Sequence, residues 1–436
     1  MKTKKWTVLA ALMLVVCLVF TSCTTNNPAS SGSKEPGSNI QDETDNPSQT
    51  QEQTGDQAAA KADGVKMIVS VDSGKALESD NGTLITSTYT FLAKQTWQEE
   101  KDGEATLYKN VVTGKYLTAT DTGVTEADKS GDASQKWEVT LRPDTFSTLK
   151  NVANNKLLAS VNGALTLKDA SDELSDYWMI TEVYDKAPSK GDTSWMSGKY
   201  GVMAHMLVNG SNVRTVNNKF DAEGIAAQLN EIGASYYMIT LGQGGGFYLT
   251  SSEAFATIIG KSKRFTEDDL ITKMANALKQ YGIKLIVYIP GMPSMGDYAD
   301  NATFGFRKVN TSYVYNDDSV MKWSMVLRDW ANKYGDLVDA WWLEACNMSI
   351  GFTDEMAYIY ANAIKSGNPN AAVAFNQGQT DDMFAAEDFT AGETAAGVPV
   401  GEINRKETWL LPDNGGKTQD GKQWFILTPF GQNWLS

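Results

Sequence analysis

Residues 282–288 read GIKLIVY and residues 338–344 read VDAWWLE. Both are short apolar runs. Each follows a stretch, 267–281 and 320–334, whose apolar residues recur at helical spacing. A continuous apolar run of this length suits a strand buried on both faces of a parallel sheet. The same alternation extends outward in both directions. Strands are expected at 201–205, 236–241, 284–289, 340–345, 371–376, 388–393 and 424–428. Helices are expected at 222–232, 267–281, 320–334 and 354–366, the first carrying Ile225, Leu229 and Ile232 on one face. Alternating strands and helices imply a parallel sheet. Seven repeats point to an α/β domain of the (β/α)8 TIM-barrel type over residues 190–436. In such a barrel the chemistry sits at the C-terminal strand ends. Those ends carry His205, Gln243, Glu344, Asn376 and Glu393. No eighth strand or closing helix is read before Ser436. The barrel is therefore expected to lack its last strand, or to have its seam covered by the preceding domain or another chain.

Upstream, residues 64–187 change character to short strands with turn signals. Gly74-Lys75-Ala76-Leu77, Gly114-Lys115-Tyr116-Leu117 and Asn155-Lys156-Leu157-Leu158 align with one another. Each is followed by a turn: Asp80-Asn81-Gly82, Asp121-Thr122-Gly123 and Asn162-Gly163. Each repeat closes on a tryptophan: Trp97, Trp137 and Trp178, at spacings of 40 and 41 residues. Internal repetition outranks local propensity as a fold signal. Three equivalent units of about four strands resemble an all-β β-trefoil. The Gln-x-Trp phrase resembles ricin-type lectins, and the Lys-Tyr-Leu phrase also resembles fascin-like trefoils. That likeness implies core tryptophans, with sugar binding or a spacer role as the open alternatives.

The chain starts with a basic run, Lys2, Lys4 and Lys5, then an apolar stretch at 7–20. About 14 residues are too few for a membrane span, which needs about 20, and fit a signal h-region. Phe20-Thr21-Ser22-Cys23 resembles a bacterial lipobox. The likeness implies a signal peptide at 1–22, lipid attachment at Cys23 and a place on the extracellular face of the bacterial cell membrane. Two or more acyl chains give stable attachment. Residues 23–63 have almost no Val, Leu, Ile or aromatic side chains. Such a segment cannot bury enough apolar area to offset its ordering entropy, so a disordered tether is expected.

The chain has 436 residues and a formal net charge of −15. Nucleic acid is excluded as a partner, because phosphate contacts need clustered Lys and Arg. A single histidine, His205, excludes a His-rich metal site, and no metal or cofactor is expected. With Cys17 in the signal and Cys23 lipidated, only Cys346 remains, so no intramolecular disulfide can form in the mature chain.

Within 195–430 the sequence resembles the α-L-fucosidase family of glycoside hydrolases. The phrases that carry the likeness are WMSGKYGVMAH (195–205), FDAE (220–223), ASYYMITLGQGGGF (234–247), GIKLIVY (282–288), VDAWWLE (338–344) and DFTAGE (388–393). The resemblance implies Glu344 as nucleophile and Glu393 as acid/base. It also implies a hydroxyl contact from His205, with Gln243, Phe247, Trp342 and Asn376 around the sugar. Glu393 would need a raised pKa to serve as the acid. Two residue-level departures stand out. Glu344 occupies the family's Asp position, and Gln243-Gly244-Gly245-Gly246 replaces a loop that carries two histidines in the family. Two functions follow as expectations. One is an exo-acting retaining hydrolase of terminal fucose-like residues. The other is a catalytically inactive carbohydrate-binding surface lipoprotein. A sugar-importer receptor is disfavoured, since nothing reads as two lobes.

Overall fold

The computed structural model describes residues 57–243, 245–260, 264–294, 298–378, 383–394, 417–418 and 420–429. The expected signal peptide, Cys23 and most of the tether lie outside the described residues.

The first part holds twelve antiparallel strands in three groups of four. They are β1 to β4 (Val65–Ser70, Ala76–Asp80, Thr83–Ser87, Thr96–Asp102), β5 to β8 (Ala105–Asn110, Tyr116–Ala119, Val124–Ala127, Trp137–Leu141) and β9 to β12 (Ser147–Asn151, Leu157–Val161, Ala164–Lys168, Trp178–Glu182). The first and fourth strands of each group pair in a closed ring, β1-β4-β5-β8-β9-β12 and back to β1. The middle strands of each group form hairpins. A closed ring leaves no free sheet edge.

The repeat phrases do structural work inside this ring. The indole Nε1 of Trp97, Trp137 and Trp178 donates to the carbonyl of Leu77, Leu117 and Leu158 at 3.0, 3.1 and 2.9 Å. All three rings are buried, so each burial satisfies its one polar atom. Gln95, Gln135 and Asp176 accept from the backbone N–H of Thr90, Ser130 and Ser171 at 2.8, 2.9 and 2.8 Å. The same side-chain position thus closes the same turn three times.

The second part alternates strands and helices. In chain order it contains β13 (Gly201–Ala204), α1 (Val213–Lys219), α2 (Ala222–Glu231), β14 (Tyr236–Thr240), α3 (Glu253–Ile259), α4 (Leu270–Lys279) and β15 (Lys284–Pro290). There follow α5 (Tyr298–Thr303), a hairpin of β16 (Arg307–Val309) and β17 (Ser312–Val314), α6 (Asp317–Tyr334), β18 (Ala340–Glu344), α7 (Asp354–Lys365) and β19 (Ala372–Phe375). The sheet runs β13-β14-β15-β18-β19, all parallel.

Five of the seven expected strands are strands of this sheet. The other two, 388–393 and 424–428, form no regular ladder. Isolated parallel bridges, Phe389 with Gln423 and Glu393 with Leu427, join them, together with bonds between Thr390 Oγ1 and the Phe425 backbone. Asp388 N–H donates to the Val373 carbonyl of β19 at 2.9 Å. Gly392 takes φ +66, a left-handed conformation that breaks a regular strand there. Among the described residues no pairing joins β13 to 423–427. A groove of about 560 Å³ lies there instead, lined by Tyr200, Gly201, Tyr236, Trp424 and Phe425 among others. A closed barrel is therefore not what the described residues show. Helices α1, α3 and α5 were not anticipated; each is short, with 7, 7 and 6 residues.

Strand alternation sorts the core into two layers. Met238, Ile286, Tyr288, Ala340, Trp342, Ala372 and Ala374 face one cluster with Phe389, Ala391, Phe425 and Leu427. Their neighbours Tyr237, Ile239, Leu285, Val287, Trp341, Leu343, Val373 and Phe375 face the helices. The helix-side cluster also takes in Met67, Val69, Tyr89, Phe91 and Tyr184 from the first part. The two parts therefore share apolar packing. Polar bonds cross the same contact. Thr88 donates to Asp318 at 2.8 Å, Thr257 to Asp144 at 2.7 Å, and Asn362 to the Asp185 carbonyl at 2.7 Å. Buried Lys322 donates to the carbonyls of Asp72 and Thr303 at 2.9 and 2.8 Å.

Gly74, Gly114 and Asn155 occupy the same repeat position with φ of +73, +68 and +60. Only Gly74 lies against α6: a Cβ there would come 2.2 Å from the Asp318 carbonyl. At Gly114 the nearest atom would be 3.8 Å away. Gly114→Ala should cost about 1 kcal/mol for left-handed backbone alone. Gly74→Ala should cost about 1–3 kcal/mol more for the clash. Denaturant midpoints of the two variants test this; equal losses would mean the α6 contact is not maintained in solution.

Candidate active site

β18 ends on Glu344, two residues beyond Trp342 and therefore on the same inward face. Ala345 then turns left-handed, at φ +60, which is costly for a residue with a Cβ. The turn keeps the next strand end in register. Asn376 N–H donates to the Leu343 carbonyl at 2.7 Å, and Cys346 N–H donates to the Asn376 carbonyl at 2.8 Å. On the other side, Gly291 N–H donates to the Glu344 carbonyl at 2.8 Å. Glu344 is thus held by backbone bonds from both neighbouring strands.

Glu393 arrives opposite through the bridge to Leu427. The amide Nδ2 of Asn376 donates to Glu344 Oε2 at 3.0 Å and to Glu393 Oε2 at 2.5 Å. Two oxygens bonded to one nitrogen at these distances lie no more than about 5.5 Å apart, the upper limit of a retaining glycosidase's spacing and short of an inverting one's. An inverting enzyme needs roughly 6.5–9.5 Å, to leave room for water.

A cavity of about 160 Å³ opens beside the pair. It is lined by Met203, His205, Gln243, Tyr288, Trp342, Glu344, Glu393 and Leu427. Both ring nitrogens of His205 and Oε1 of Gln243 are buried without a hydrogen-bond partner. Buried polar atoms are rarely left so. Here they face a cavity with room for several waters, or for one sugar ring.

Burial pushes the Glu344 carboxyl up to about 7, and the nearby Glu393 charge adds to the rise. Donation from Asn376, Tyr288 and the Ala345 N–H opposes it. Burial, then the Glu344 charge, raises the Tyr288 phenol, which stays protonated. The Cys346 thiol is also held protonated by burial, so it is no nucleophile.

The structure brings His205, Gln243, Trp342, Glu344, Asn376 and Glu393 together. Trp342 is 1% exposed, stacks on Tyr288 at 4.9 Å and donates to the Ala391 carbonyl at 3.0 Å. It forms the cavity floor rather than an open platform. Phe247 does not line the cavity; it lies under the Arg264 guanidinium, 5.6 Å from ring to cation. Tyr288, Met203 and Leu427 were not singled out in the sequence. Tyr288 was findable, since it shares the inward face of GIKLIVY with Ile286. Nearby, buried Glu387 accepts from the N–H of Phe375 and Phe384 at 2.7 and 3.2 Å. Buried Asp388 pairs with Lys365 at 2.7 Å. These two carboxylates fasten the segment that delivers Glu393 and stay out of the cavity. Among the described residues no cluster of three or more His, Cys, Asp or Glu could hold a metal ion.

A carboxyl whose folded pKa lies above its unfolded value costs stability once ionised. For Glu344 that cost should grow between about pH 4.3 and pH 7 and then stay level. Glu344→Gln should therefore stabilise the fold by up to about 3–4 kcal/mol above pH 7, and by little at pH 4. Thermal denaturation across pH tests this; a pH-independent difference would contradict the raised carboxyl.

Residues 190–393 match a family model described as the endo-α(1,4)-fucoidanase Mef1. No curated protein matches the chain. Among solved structures, the endo-fucoidan hydrolase MfFcnA4 of glycoside hydrolase family 107 is 15% identical, with 55% of this chain and 43% of that chain covered and a TM-score of 0.42. The endo-fucoidan hydrolase MfFcnA9 of the same family is 16% identical, with 54% and 49% covered and a TM-score of 0.41. The chain thus spans less than half the length of either. The designed threefold-symmetric protein ThreeFoil is 24% identical, with 27% of this chain and 99% of that chain covered and a TM-score of 0.26. The α/β part of the chain is therefore similar to glycoside hydrolases of fucose-containing glycans, by a family described as endo-acting rather than exo-acting.

Proposed function

We propose that the α/β domain hydrolyses internal α-linkages of a fucose-containing polysaccharide with retention at the anomeric carbon. The observation that carries this reading is the pair of strand-end carboxylates sharing the Asn376 amide at a retaining separation. In the first step a Glu344 oxygen bonds the anomeric carbon as the bond to the leaving oxygen breaks. Glu393 gives its proton to that oxygen. In the second step water loses a proton to Glu393 and attacks the anomeric carbon, and Glu344 leaves as carboxylate. His205 and Gln243 gain partners when sugar hydroxyls enter the cavity. The reactive form has Glu344 ionised and the proton on Glu393, so kcat/KM should rise with pH through about 7 as Glu344 of the free enzyme ionises.

The closed six-strand ring with three hairpins supports reading the first domain as a β-trefoil. Its tryptophans are core, so any sugar contact would come from other side chains. The basic and apolar start of the chain, ending at Cys23, supports export and lipid attachment to a membrane.

The full chain should lower the viscosity of an α-linked fucan and release oligosaccharides, with little release of monosaccharide. Glu344→Gln and Glu393→Gln should each reduce turnover by at least about 10³-fold. Retained binding with no turnover on fucans or aryl α-L-fucosides would instead make this a carbohydrate-binding protein. Separately, Cys23→Ala should move the protein from the membrane fraction to the soluble fraction of a bacterial host; unchanged fractionation would contradict the lipid anchor.

A further inference from the structure

Asn376 was expected to touch the sugar, and its surroundings point elsewhere. The residue is fully buried. Its backbone is fixed to β18 at both ends, through the Leu343 carbonyl and the Cys346 N–H. Its Oδ1 accepts from the Gly378 N–H at 3.1 Å. That bond sets the orientation of the amide, because a flipped amide would set N–H against N–H. The nitrogen therefore faces the two carboxylates, and its two hydrogens are both committed, one to Glu344 and one to Glu393. No donor is left over for a sugar hydroxyl.

We propose that Asn376 is a positioning residue whose single amide nitrogen fixes the separation of Glu344 and Glu393 and presents a donor to each. An amide cannot ionise or accept a proton from either acid, so it serves both carboxylates through the whole reaction. It also opposes the two influences that favour a neutral Glu344, burial and the like charge of Glu393. The other titratable groups facing Glu344 are Tyr288 on β15, His205 beyond β13 and Cys346 two residues further along the chain, with Tyr315 and Glu387 behind Cys346. None of these bonds both carboxylates. The kinetic half of this inference rests on the hydrolase reading; the titration half does not.

The test combines titration with kinetics on the full chain. Glutamate labelled with ¹³C at the side-chain carboxyl reports Glu344 directly, assigned by its disappearance in Glu344→Gln. Asn376→Ala removes the shared donor and should raise the Glu344 midpoint by about one pH unit, the worth of one hydrogen bond to a charged group. The rising limb of kcat/KM should move by the same amount, so that kcat/KM near pH 7 falls roughly fivefold while its high-pH plateau changes by less than about twofold. Asn376→Asp keeps the side-chain volume and offers at most one O–H, so it should raise the midpoint too, even if the alanine variant folds poorly. An unmoved midpoint in both variants would overturn the proposal. So would a raised KM with an unshifted pH profile, the signature of a lost substrate contact. If the native protein turns over no glycan, the hydrolase reading fails, while the midpoints still decide the role of Asn376.

Discussion

A strand turns every second side chain to the same face, and in a sheet of parallel strands all C-terminal ends point the same way. Those two facts place the chemistry of this molecule. Ile286 and Tyr288, Ala340 and Trp342, and Ala372 and Ala374 form the inward layer. One further step of two residues carries β18 to Glu344 and β19 to Asn376. The apolar layer beneath does more than stabilise. It excludes water from below the carboxylates, which is why burial is the largest influence on Glu344. An acid in such a place would stay neutral without donors aimed at it. Asn376, Tyr288 and the N–H of the strained Ala345 are those donors.

The outward layer solves a different problem. Leu285, Val287, Leu343 and Val373 need helices over them, and α6 and α7 need covering on their far side. The antiparallel domain supplies part of that cover, through Met67, Val69, Phe91 and Tyr184. Lys322 shows how tight the seam is. Its ammonium is buried against two carbonyls, one from each part of the chain, and burial lowers it to about 8. The first domain is thus a structural neighbour of the helices.

Much of this was legible from residue types. The repeat phrases gave three groups of strands because a Trp and a Gln or Asp recur with fixed spacing. The strand ends gave His205, Gln243, Glu344, Asn376 and Glu393, because apolar runs show where strands stop. Other features were not legible, each for a physical reason. The segments 388–393 and 424–428 look like strands in composition, yet Gly392 and short bridging leave them outside the ladder. Phe247 lies in a glycine-rich loop whose path no periodicity dictates, and it packs under Arg264. The role of Asn376 depends on which way an amide points, and Gly378 sets that through a bond invisible in sequence. Glu387 and Asp388 lie a few residues before Glu393, and composition does not distinguish them from it; their partners are backbone N–H groups and Lys365.

The central claim is that Glu344 is the atom donor that bonds the sugar. Incubation with a 2-deoxy-2-fluoro-α-L-fucosyl fluoride should slow breakdown of a covalent intermediate enough to isolate it. Mass spectrometry of the digested protein should then place one fluorofucosyl group on the peptide containing Glu344, with none in the Glu344→Gln variant. A label on the Glu393 peptide, or turnover of the reagent with inversion and no label at all, would contradict the assignment.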